Sequence, residues 1–96
     1  MKILVLGAGR MGLGAAYDLA HNSPDVRAVT VADIDAGRAR AVKATVGSDK
    51  LTAAQVDVND HAQTVALMRG HDAVVSCVTY FHNLQLARAA IEARAH

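Results

Sequence analysis

The chain has 96 residues, which at about 100–200 residues per domain corresponds to one domain or a part of one. Ten basic residues and nine acidic residues give a formal charge of +1, a balance that argues against a basic nucleic-acid-binding arm or an acidic tail. Hydrophobic residues make up 52% of the chain and aromatic residues only 3%, so the composition predicts a folded core of aliphatic side chains and argues against an aromatic base-stacking surface.

The first strand and helix are predicted at the N-terminus. Residues 3–6 form a continuous apolar run closed by Gly7, which is typical of a strand covered on both faces. A helix is predicted from Arg10 to about His21, and the Asn-Ser-Pro-Asp turn at residues 22–25 ends it. The residues expected on the buried face of this helix are Met11, Ala15, Ala16, Leu19 and Ala20.

Two further strands follow, with a helix between them. The second strand covers residues 28–32 and ends at Asp33. Asp35 is expected to cap a helix over residues 36–46, because a carboxylate before a helix accepts hydrogen bonds from its first N–H groups. Gly47 is expected to end that helix. The third strand, residues 51–58, alternates polar and apolar side chains, which is typical of an edge strand.

The third helix is expected to be capped by Asn59 or Asp60. Gln63 stands three residues after Asp60, the spacing of a capping box. Gly70 is expected to end the helix. The side chains expected to face inward are Val65, Ala66 and either Leu67 or Met68.

The last predicted strand, residues 73–78, is continuously apolar, so we expect it to be central, and a helix is predicted over residues 80–94. Four alternating strand and helix units predict an α/β fold with a parallel sheet and right-handed crossovers. The expected strand order is 3-2-1-4, with the sheet cut before strands five and six. A central strand left at an open edge invites pairing with another copy, so the chain alone is expected to dimerise or precipitate through residues 73–78.

A glycine-rich motif joins the first strand to the first helix. Gly7-Ala8-Gly9-Arg10-Met11-Gly12 is a G-x-G-x-x-G sequence, and Asp33 follows Gly12 by 21 positions at the end of the second strand. In this context the motif is the dinucleotide-binding fingerprint of Rossmann-type folds, here a three-layer parallel sheet. Gly7 permits the tight turn, Gly9 lets the backbone approach a pyrophosphate, and Gly12 allows close packing. The pyrophosphate would sit on free N–H groups at the positive end of the helix dipole.

Other interpretations of the glycines stay open. They could be ordinary turn and packing residues, or belong to an AdoMet-dependent methyltransferase, which also has a glycine-rich first loop and an acidic second-strand end. The third glycine, Gly12, favours the dinucleotide interpretation. Gly14 costs the helix about 1 kcal/mol relative to Ala, and close packing of helix on sheet is the expected reason for it.

The choice of cofactor depends on the end of the second strand. Asp33 should accept hydrogen bonds from the adenosine ribose hydroxyls and repel a 2′-phosphate, which favours NAD without excluding NADP. Arg38 could pair with a phosphate, or it could be an exposed i,i+3 partner of Asp35. Ile34, which follows Asp33, is included in the candidate site.

The remaining candidates lie in the glycine loop and at the ends of the third and fourth strands. Arg10 is either a solvated helix-start residue or a lid over the adenine or pyrophosphate. Asp57 could accept from the adenine amino group or simply be a polar edge residue. Cys77 is interpreted as a small buried hydrophobic residue rather than a nucleophile, near the nicotinamide side of the cofactor. The candidate cofactor-binding residues are Gly7, Ala8, Gly9, Arg10, Met11, Gly12, Asp33, Ile34, Arg38, Asp57, Val58, Ser76, Cys77 and Val78.

The five histidines show no metal-ligand spacing, so no metal site is expected, and no catalytic residue is assigned. His82 and Asn83 could face a substrate or form a solvated helix start. The single cysteine excludes an intrachain disulfide and fits a reducing, cytoplasmic setting. The first apolar run is too short for a signal peptide and no run approaches the ~20 residues of a membrane span, so no membrane partner is expected. The balanced charge means that nucleic acid is not an expected partner either.

Several segments together resemble a known family. The glycine loop with Val31-Ala32-Asp33, then Val56-Asp57-Val58, then the Ser-Cys-Val-Thr-Tyr-Phe-His-Asn-Leu stretch at residues 76–84 and the alanine-rich residues 87–93, resemble the cofactor-binding domain of the saccharopine dehydrogenase family. This family includes lysine 6-dehydrogenases and carboxynorspermidine-type dehydrogenases. The resemblance covers essentially the whole chain; the glycine loop is generic and the 76–84 stretch is more specific.

The resemblance implies NAD(P)-dependent redox chemistry at a carbon–nitrogen bond of an amino acid. It also implies a second, substrate-binding domain, so residues 1–96 are interpreted as an N-terminal fragment that carries cofactor binding only. A homodimer is expected for the full-length protein. A non-catalytic NAD-sensing module, as in regulatory domains of ion transport systems, is the alternative from another functional class.

Overall fold

The structure, a computed structural model, describes residues 1–77 and contains one parallel four-stranded sheet with three helices. The strand order β3-β2-β1-β4 confirms the predicted order and the Rossmann-type α/β fold. Val78 and the helix predicted over residues 80–94 lie outside the described residues. The elements are β1 Lys2–Leu6, α1 Arg10–Asn22, β2 Ala28–Asp33, α2 Ala36–Val46, β3 Leu51–Gln55, α3 His61–Met68 and β4 Ala73–Ser76.

The central strand is β1, because it pairs with β2 on one side and β4 on the other. Leu6 stands opposite Ala32 of β2 and Ser76 of β4, so the carboxyl ends of the three strands meet at one edge of the sheet. The chain order reverses between β1 and β4, which makes this edge the topological switch point where α/β folds bind ligands.

Helices cover both faces of the sheet. Successive β1 side chains point to opposite faces, so they contribute to two separate cores. Ile3 and Val5 pack in the core beneath α1 and α2. Leu4 and Leu6 pack in the core beneath α3. Both faces of β1 are therefore buried, which explains its unbroken apolar sequence.

The buried face of α1 differs from the prediction. It consists of Gly12, Ala16 and Ala20, spaced four residues apart, while Met11 is 74% exposed. The expectation that Met11 faces the core is therefore wrong. The helix instead turns its smallest residues toward the sheet, because Gly12 fits beneath the preceding loop where a larger side chain would not.

The second helix begins and ends as predicted. The Asp35 carboxylate accepts hydrogen bonds from the N–H groups of Gly37 and Arg38. At the other end Gly47 takes a left-handed conformation with φ +66°, and its N–H donates to the carbonyl of Lys43 at 3.1 Å. A positive φ of this kind favours glycine.

The third strand is at the edge, as predicted, but it is shorter than expected. It ends at Gln55 rather than at residue 58. The N–H of Val56 still reaches the carbonyl of Asp33 at 3.0 Å, and then the chain turns, with the N–H of Asp60 donating to the carbonyl of Asp57. The turn carries residues 57–60 around the carboxyl end of the sheet.

The cap of α3 is formed by Asp60, whose Oδ1 accepts from the N–H of Gln63 at 3.0 Å. The Gln63 side chain does not return to the Asp60 N–H but accepts from the N–H of Asp57. Thr64 is buried and Ala66 is exposed, so the expectation that Ala66 faces inward is wrong. Thr64 fills that place because its hydroxyl donates to the Asp60 carbonyl at 2.8 Å.

None of the helices within residues 1–77 is long and apolar enough to cross a membrane.

Candidate functional site

The turn between β1 and α1 is built from the glycine motif. Gly7 has φ +101°, a conformation that glycine adopts readily and other residues rarely do, and its N–H donates to the carbonyl of Ala32 at 2.8 Å. Gly9 then takes an extended conformation and forms the N-cap of α1. The chain thus reverses within three residues of the end of β1, beside the end of β2.

Three glycines around this turn have different surroundings. A Cβ atom on Gly12 would overlap the carbonyl oxygen of Gly7 and lie 2.8 Å from its carbonyl carbon. A Cβ on Gly9 would meet no atom within 4 Å, so the backbone there is open to a ligand. A Cβ on Gly14 would also meet nothing within 4 Å, so the expectation that Gly14 permits close packing on the sheet is wrong.

The N-terminus of α1 has unsatisfied donors. The first backbone bond of the helix runs from the N–H of Leu13 to the carbonyl of Gly9, so the three preceding N–H groups, at residues 10–12, have no acceptor within the helix. No side chain caps α1 and its first turn has no acidic residue, whereas Asp35 and Asp60 cap the other two helices within residues 1–77. The positive end of the α1 dipole is therefore open to an anion.

Asp33 stands beside this helix end and is hydrogen-bonded to the glycine loop. Its Oδ2 accepts from the N–H of Ala8 at 2.8 Å, and its Oδ1 accepts from the N–H of Asp35 at 2.9 Å. The carboxylate thus connects the glycine loop to the turn before α2. Each oxygen keeps a further lone pair that can accept a hydrogen bond from a ligand.

A cleft of about 330 Å³ opens at the carboxyl ends of the strands, where the topology places a ligand site. Most of the predicted residues line it. Val56 and Asn59 line it as well, and both were missed. The lining residues are Gly7, Ala8, Gly9, Asp33, Ile34, Arg38, Val56, Asp57, Val58, Asn59 and Cys77.

The two missed residues lie on either side of Asp57. The N–H of Val56 donates to the carbonyl of Asp33 at 3.0 Å, which holds Val56 beside the end of β2. The turn that follows brings Asn59 to the cleft, because the Asp57 carboxylate accepts from the N–H of Asn59 at 2.9 Å. The sequence indicated Asn59 only as a possible helix cap. Its polar neighbours were the signal for a turn, but they do not specify which way the turn bends.

The other predicted residues do not line the cleft. Met11 is exposed, Gly12 is covered by the loop, and Ser76 is exposed at the end of β4. Arg10 lines a neighbouring cavity together with Arg38, and Arg38 lines the cleft as well. Val78 lies outside the described residues.

Arg38 and Asp35 also form the pair that their spacing allowed. The Nε of Arg38 lies 3.9 Å from Oδ2 of Asp35, and both side chains are largely exposed. Such a pair contributes little to stability because water screens it. Arg38 is therefore both a partner of Asp35 and a cation at the cleft.

Cys77 continues the β4 ladder, its N–H donating to the carbonyl of Leu6 at 2.7 Å. Burial raises the pKa of the Cys77 thiol above its usual value, because the thiolate would lose solvation. The thiol therefore stays protonated at neutral pH. This agrees with the interpretation of Cys77 as a hydrophobic residue rather than a nucleophile.

Two histidines connect elements of the fold. The Nε2 of His21 contacts the carbonyl of Val46 at 2.9 Å. The His71 ring lies between the carbonyl of Leu67 and the hydroxyl of Thr30, at 2.9 and 2.8 Å. Within residues 1–77, no three His, Cys, Asp or Glu side chains come together as a metal-binding group.

Residues 3–96 match the family described as the saccharopine dehydrogenase NADP binding domain. The chain belongs to this family. The resemblance inferred from the glycine loop and the 76–84 stretch is thereby confirmed. The saccharopine dehydrogenase NADP-binding domain is a dinucleotide-binding domain of oxidoreductases. The residues of the cleft fit such a cofactor: the N-terminus of α1 offers free N–H donors, the backbone at Gly9 is open, and the Asp33 carboxylate offers acceptors.

Solved structures with this fold include whole dehydrogenases. Apo saccharopine dehydrogenase (L-Glu forming) from Saccharomyces cerevisiae is 26% identical with a TM-score of 0.82, over 98% of this chain and 20% of that one. Quinate dehydrogenase from Corynebacterium glutamicum, in complex with NAD, is 25% identical with a TM-score of 0.63, over 80% of this chain and 26% of that one. DesIV, a dTDP-glucose 4,6-dehydratase from Streptomyces venezuelae with NAD and TYD bound, shares the fold at 24% identity and a TM-score of 0.80. This domain spans 20% to 37% of the lengths of these proteins.

Proposed function

We propose that this domain binds NAD for an oxidoreductase that acts, like saccharopine dehydrogenase, at a carbon–nitrogen bond of an amino acid. The observation that carries the proposal is the meeting of an uncapped helix N-terminus and a carboxylate at one cleft. The carboxylate of Asp33 lies 2.8 Å from the N–H of Ala8, in the loop that leads into α1. N–H groups that can donate to a phosphate and a carboxylate that can accept from a ribose hydroxyl are thus separated by one short loop. A nucleoside diphosphate needs both.

The pyrophosphate would bind the N–H groups at residues 10–12. These groups have no acceptor within α1, and the helix dipole favours a negative charge at that end. The absence of a Cβ at Gly9 leaves room for the phosphate oxygens to approach the backbone. No cationic side chain is needed, because the donors are main-chain groups held by the turn at Gly7.

The adenosine ribose would bind Asp33. Both carboxylate oxygens already accept one backbone N–H each, which holds the side chain in place at the cleft, and each oxygen can accept a further hydrogen bond. Ribose hydroxyls donate to such oxygens, whereas a 2′-phosphate meets a like charge. Asp33 therefore favours NAD over NADP.

The adenine ring would lie on apolar side chains at the far end of the cleft. Ile34 is 61% exposed although it is aliphatic, and it lines the cleft with Val58 from the turn after β3. Covering these side chains with a planar ring removes apolar surface from water. Asp57, in the same turn, would accept from the adenine amino group.

The nicotinamide would lie toward the ends of β1 and β4. Hydride transfer is the chemistry that the cofactor supplies when bound, and the protein orients it. Cys77 lines this side of the cleft as a neutral thiol, so it would provide packing rather than a charge or a nucleophile. The similarity to yeast saccharopine dehydrogenase supports an amino-acid substrate, which a separate substrate-binding domain would hold.

Titration of the domain with NADH and NADPH, followed by cofactor fluorescence, tests the proposal. NADH should bind more tightly than NADPH. Asp33→Ala should lower the affinity for NADH by roughly 10- to 150-fold, the equivalent of about 1.5–3 kcal/mol for hydrogen bonds to a charged group. The affinity for NADPH should fall less, so the difference between the two affinities should become smaller.

Asp49→Ala is the matched control. It also removes one carboxylate, but from the turn before β3, at the other end of the parallel sheet. The affinities for NADH and NADPH should therefore stay unchanged. Equal binding of the two cofactors by the unmodified protein, or tighter binding of NADPH, would contradict the role of Asp33. Binding of neither cofactor would contradict the proposed function itself.

A further inference from the structure

The outward face of α1 carries two exposed, largely apolar side chains. Met11 is 74% exposed and Tyr17 is 51% exposed. Both lie on the side of the helix that is turned away from the sheet, because Gly12, Ala16 and Ala20 form its buried face. A surface helix normally presents polar side chains to water, so the exposed pair is a first indication of a contact surface.

Gly14 lies between these two side chains, three residues from each. A Cβ atom at Gly14 would meet no atom within 4 Å, and the glycines with a positive φ among the described residues are Gly7 and Gly47. Neither packing nor backbone conformation within residues 1–77 therefore requires a glycine here, although glycine destabilises a helix interior relative to alanine. A position without a side chain on an outward face allows a second helix to approach closely.

Charged residues of opposite sign lie at equal distances on either side of Gly14. Arg10 precedes it by four residues and Asp18 follows it by four, so each lies about 6 Å from Gly14 along the helix axis. Residues four apart form one ridge on a helix surface, and the commonest packing of two helices aligns such ridges at an interaxial angle of about 50°. When the two ridges run in opposite directions, Arg10 of each helix faces Asp18 of the other.

We propose that one copy of this chain binds a second copy through the α1 face, which consists of Arg10, Met11, Gly14, Tyr17 and Asp18. The two helices would cross at Gly14, with one Arg10–Asp18 ion pair on each side of the crossing. Met11 and Tyr17, which flank the ridge, would lose contact with water. The face is self-complementary, as the contact surface of a two-fold symmetric dimer has to be.

The two charged side chains are available to a partner. Both are exposed, and within residues 1–77 the Arg10 side chain makes no hydrogen bond or ion pair. Oδ1 of Asp18 accepts from Nδ2 of Asn22 at 3.1 Å, which leaves Oδ2 for a guanidinium group. Arg10 also stands at the positive end of the α1 dipole, in a first turn without an acidic residue. A carboxylate from the second copy would offset that unfavourable position.

The strength and salt dependence of the dimer follow from its small, charged contact. One pair of crossing helices buries less surface than a standard protein–protein interface, so we expect association in the micromolar range. The ion pairs lie at the surface, so the association should weaken as the salt concentration rises. Pairing through the outer strand at residues 73–78 would instead depend on main-chain hydrogen bonds and apolar side chains.

Sedimentation equilibrium of the complete chain without cofactor, from about 1 µM to about 500 µM, measures the association. Asp18→Arg should weaken it by at least about tenfold, because each dimer exchanges two attractive charge pairs for two repulsive ones. Asp49→Arg is the matched control. It makes the same change of charge in the turn before β3, away from α1, and should leave the association unchanged.

Exchanging the two charges within one chain tests the pairing itself. Arg10→Asp alone should weaken the association as Asp18→Arg does. The chain that carries both substitutions should associate nearly as tightly as the unmodified protein, because each ion pair forms again with its signs reversed. The exchange also suits the helix dipole, with the acid at the start of α1 and the base nearer its end, and circular dichroism verifies that the variant is folded.

Gly14→Cys tests the two-fold crossing directly. The two introduced thiols would meet at the crossing, and a disulfide forms only where the two Cα atoms lie within about 7 Å of each other. Mild oxidation should therefore give a covalent dimer, in which peptide mass spectrometry places the bond at position 14 and not at Cys77. Asn22→Cys is the control, because position 22 is exposed on the same helix about 12 Å from the crossing. That variant should stay largely monomeric on reducing-agent-free gels.

The proposal is wrong if the unmodified chain is monomeric over the whole concentration range. It is also wrong if Asp18→Arg associates as tightly as Asp49→Arg, which would place the contact on another surface such as residues 73–78. Failure of the folded charge exchange to restore association, or equal cross-linking of Gly14→Cys and Asn22→Cys, would contradict the two-fold crossing. None of these measurements involves a cofactor, so they leave the proposed function untouched.

Discussion

Gly12 and Gly14 lie two residues apart on α1 and offer a matched pair of substitutions. Gly12→Ala places a methyl group on the Gly7 carbonyl, so we expect the loop to shift, with a loss of about 1–3 kcal/mol in the free energy of unfolding. Gly14→Ala places a methyl group in open space on an exposed helix position, and we expect a gain of about 0.5–1 kcal/mol. Urea denaturation followed by circular dichroism measures both.

The same pair separates packing from binding. Gly12→Ala should also lower the affinity for NADH, because a shifted loop would disturb the start of α1, whose N–H groups are proposed to hold the pyrophosphate. Gly14→Ala should bind NADH normally. A Gly12→Ala variant as stable as the unmodified protein would show that the loop accommodates the methyl group without cost. The close contact between helix and loop would then have no energetic consequence.

The Asp33 side chain has a structural role in the glycine loop besides its proposed role in binding the ribose. Its position at the end of β2 predicted a ribose acceptor, and its bonds to Ala8 and Asp35 make it part of the loop's own structure. Removal of the carboxylate should therefore loosen the glycine loop as well as remove the proposed contact with the ribose. For this reason the Asp33→Ala variant should also bind NADPH somewhat less tightly, although its loss of affinity for NADH should be larger.

The third helix depends on its cap because it is short. It spans eight residues, His61–Met68, and isolated helices of that length are marginal in water. Asp60→Ala removes the acceptor for the Gln63 N–H, so the free energy of unfolding should fall by about 1 kcal/mol. Asp60→Asn keeps an acceptor oxygen and should cost much less.

Urea denaturation of the two Asp60 variants beside the unmodified protein gives the comparison. Since Asp60 lies outside the cleft lining, NADH affinity should change little in either variant. If Asp60→Ala were as stable as the unmodified protein, the side-chain cap would contribute nothing and packing of Val65 and Met68 alone would hold α3.

Asp72 connects distant parts of the chain. Its carboxylate accepts from the N–H of Lys2 at 2.7 Å, which ties the turn before β4 to the start of β1. That backbone hydrogen bond is the main reason its pKa lies below the usual 3.8, and the positive charges of the N-terminal amine, Arg27 and Lys2 add to the effect.

The sign of the pH effect follows from this lowered pKa. A carboxylate with a lower pKa in the folded state stabilises the protein fully above the unfolded value, about 3.8, and that contribution is lost as the pH falls through the folded pKa. Asp72→Asn should therefore show a shallower loss of stability below about pH 4 than the unmodified protein. Thermal unfolding between about pH 2 and pH 7 measures it.

Asp49→Asn serves as the control for Asp72→Asn, because it removes one carboxylate from an exposed turn. If both variants follow the same curve of stability against pH, the contact between Asp72 and Lys2 does not stabilise the fold. The carboxylate is fully exposed, so the difference should be modest and should shrink at high salt.

The outer strands differ in character across the whole sheet. β3 carries two exposed polar side chains, Thr52 and Gln55, while β4 is apolar up to Ser76, and no strand within residues 1–77 pairs with the far side of β4. The expected self-association through residues 73–78 stays a prediction, as do the homodimer and the substrate-binding domain of the full-length protein. An apolar outer strand is the physical reason to expect a partner there.

The sequence by itself determined the strands and helices of residues 1–77 apart from the end of β3, together with their order in the sheet, the glycine turn and the acidic residue at the end of β2. These depend on local periodicity, on the caps at Asp35 and Asp60, and on the handedness of crossovers, all of which act over a few residues or one unit. Only the tertiary structure decided which residues meet across the cleft, namely the hydrogen bond between Asp33 and Ala8, the position of Asn59 in the lining, and the neighbouring cavity lined by both Arg10 and Arg38. It also decided that Met11 and Gly14 are exposed on α1. Such contacts join segments 20 or more residues apart or depend on a helix's rotation about its axis, and packing alone sets both.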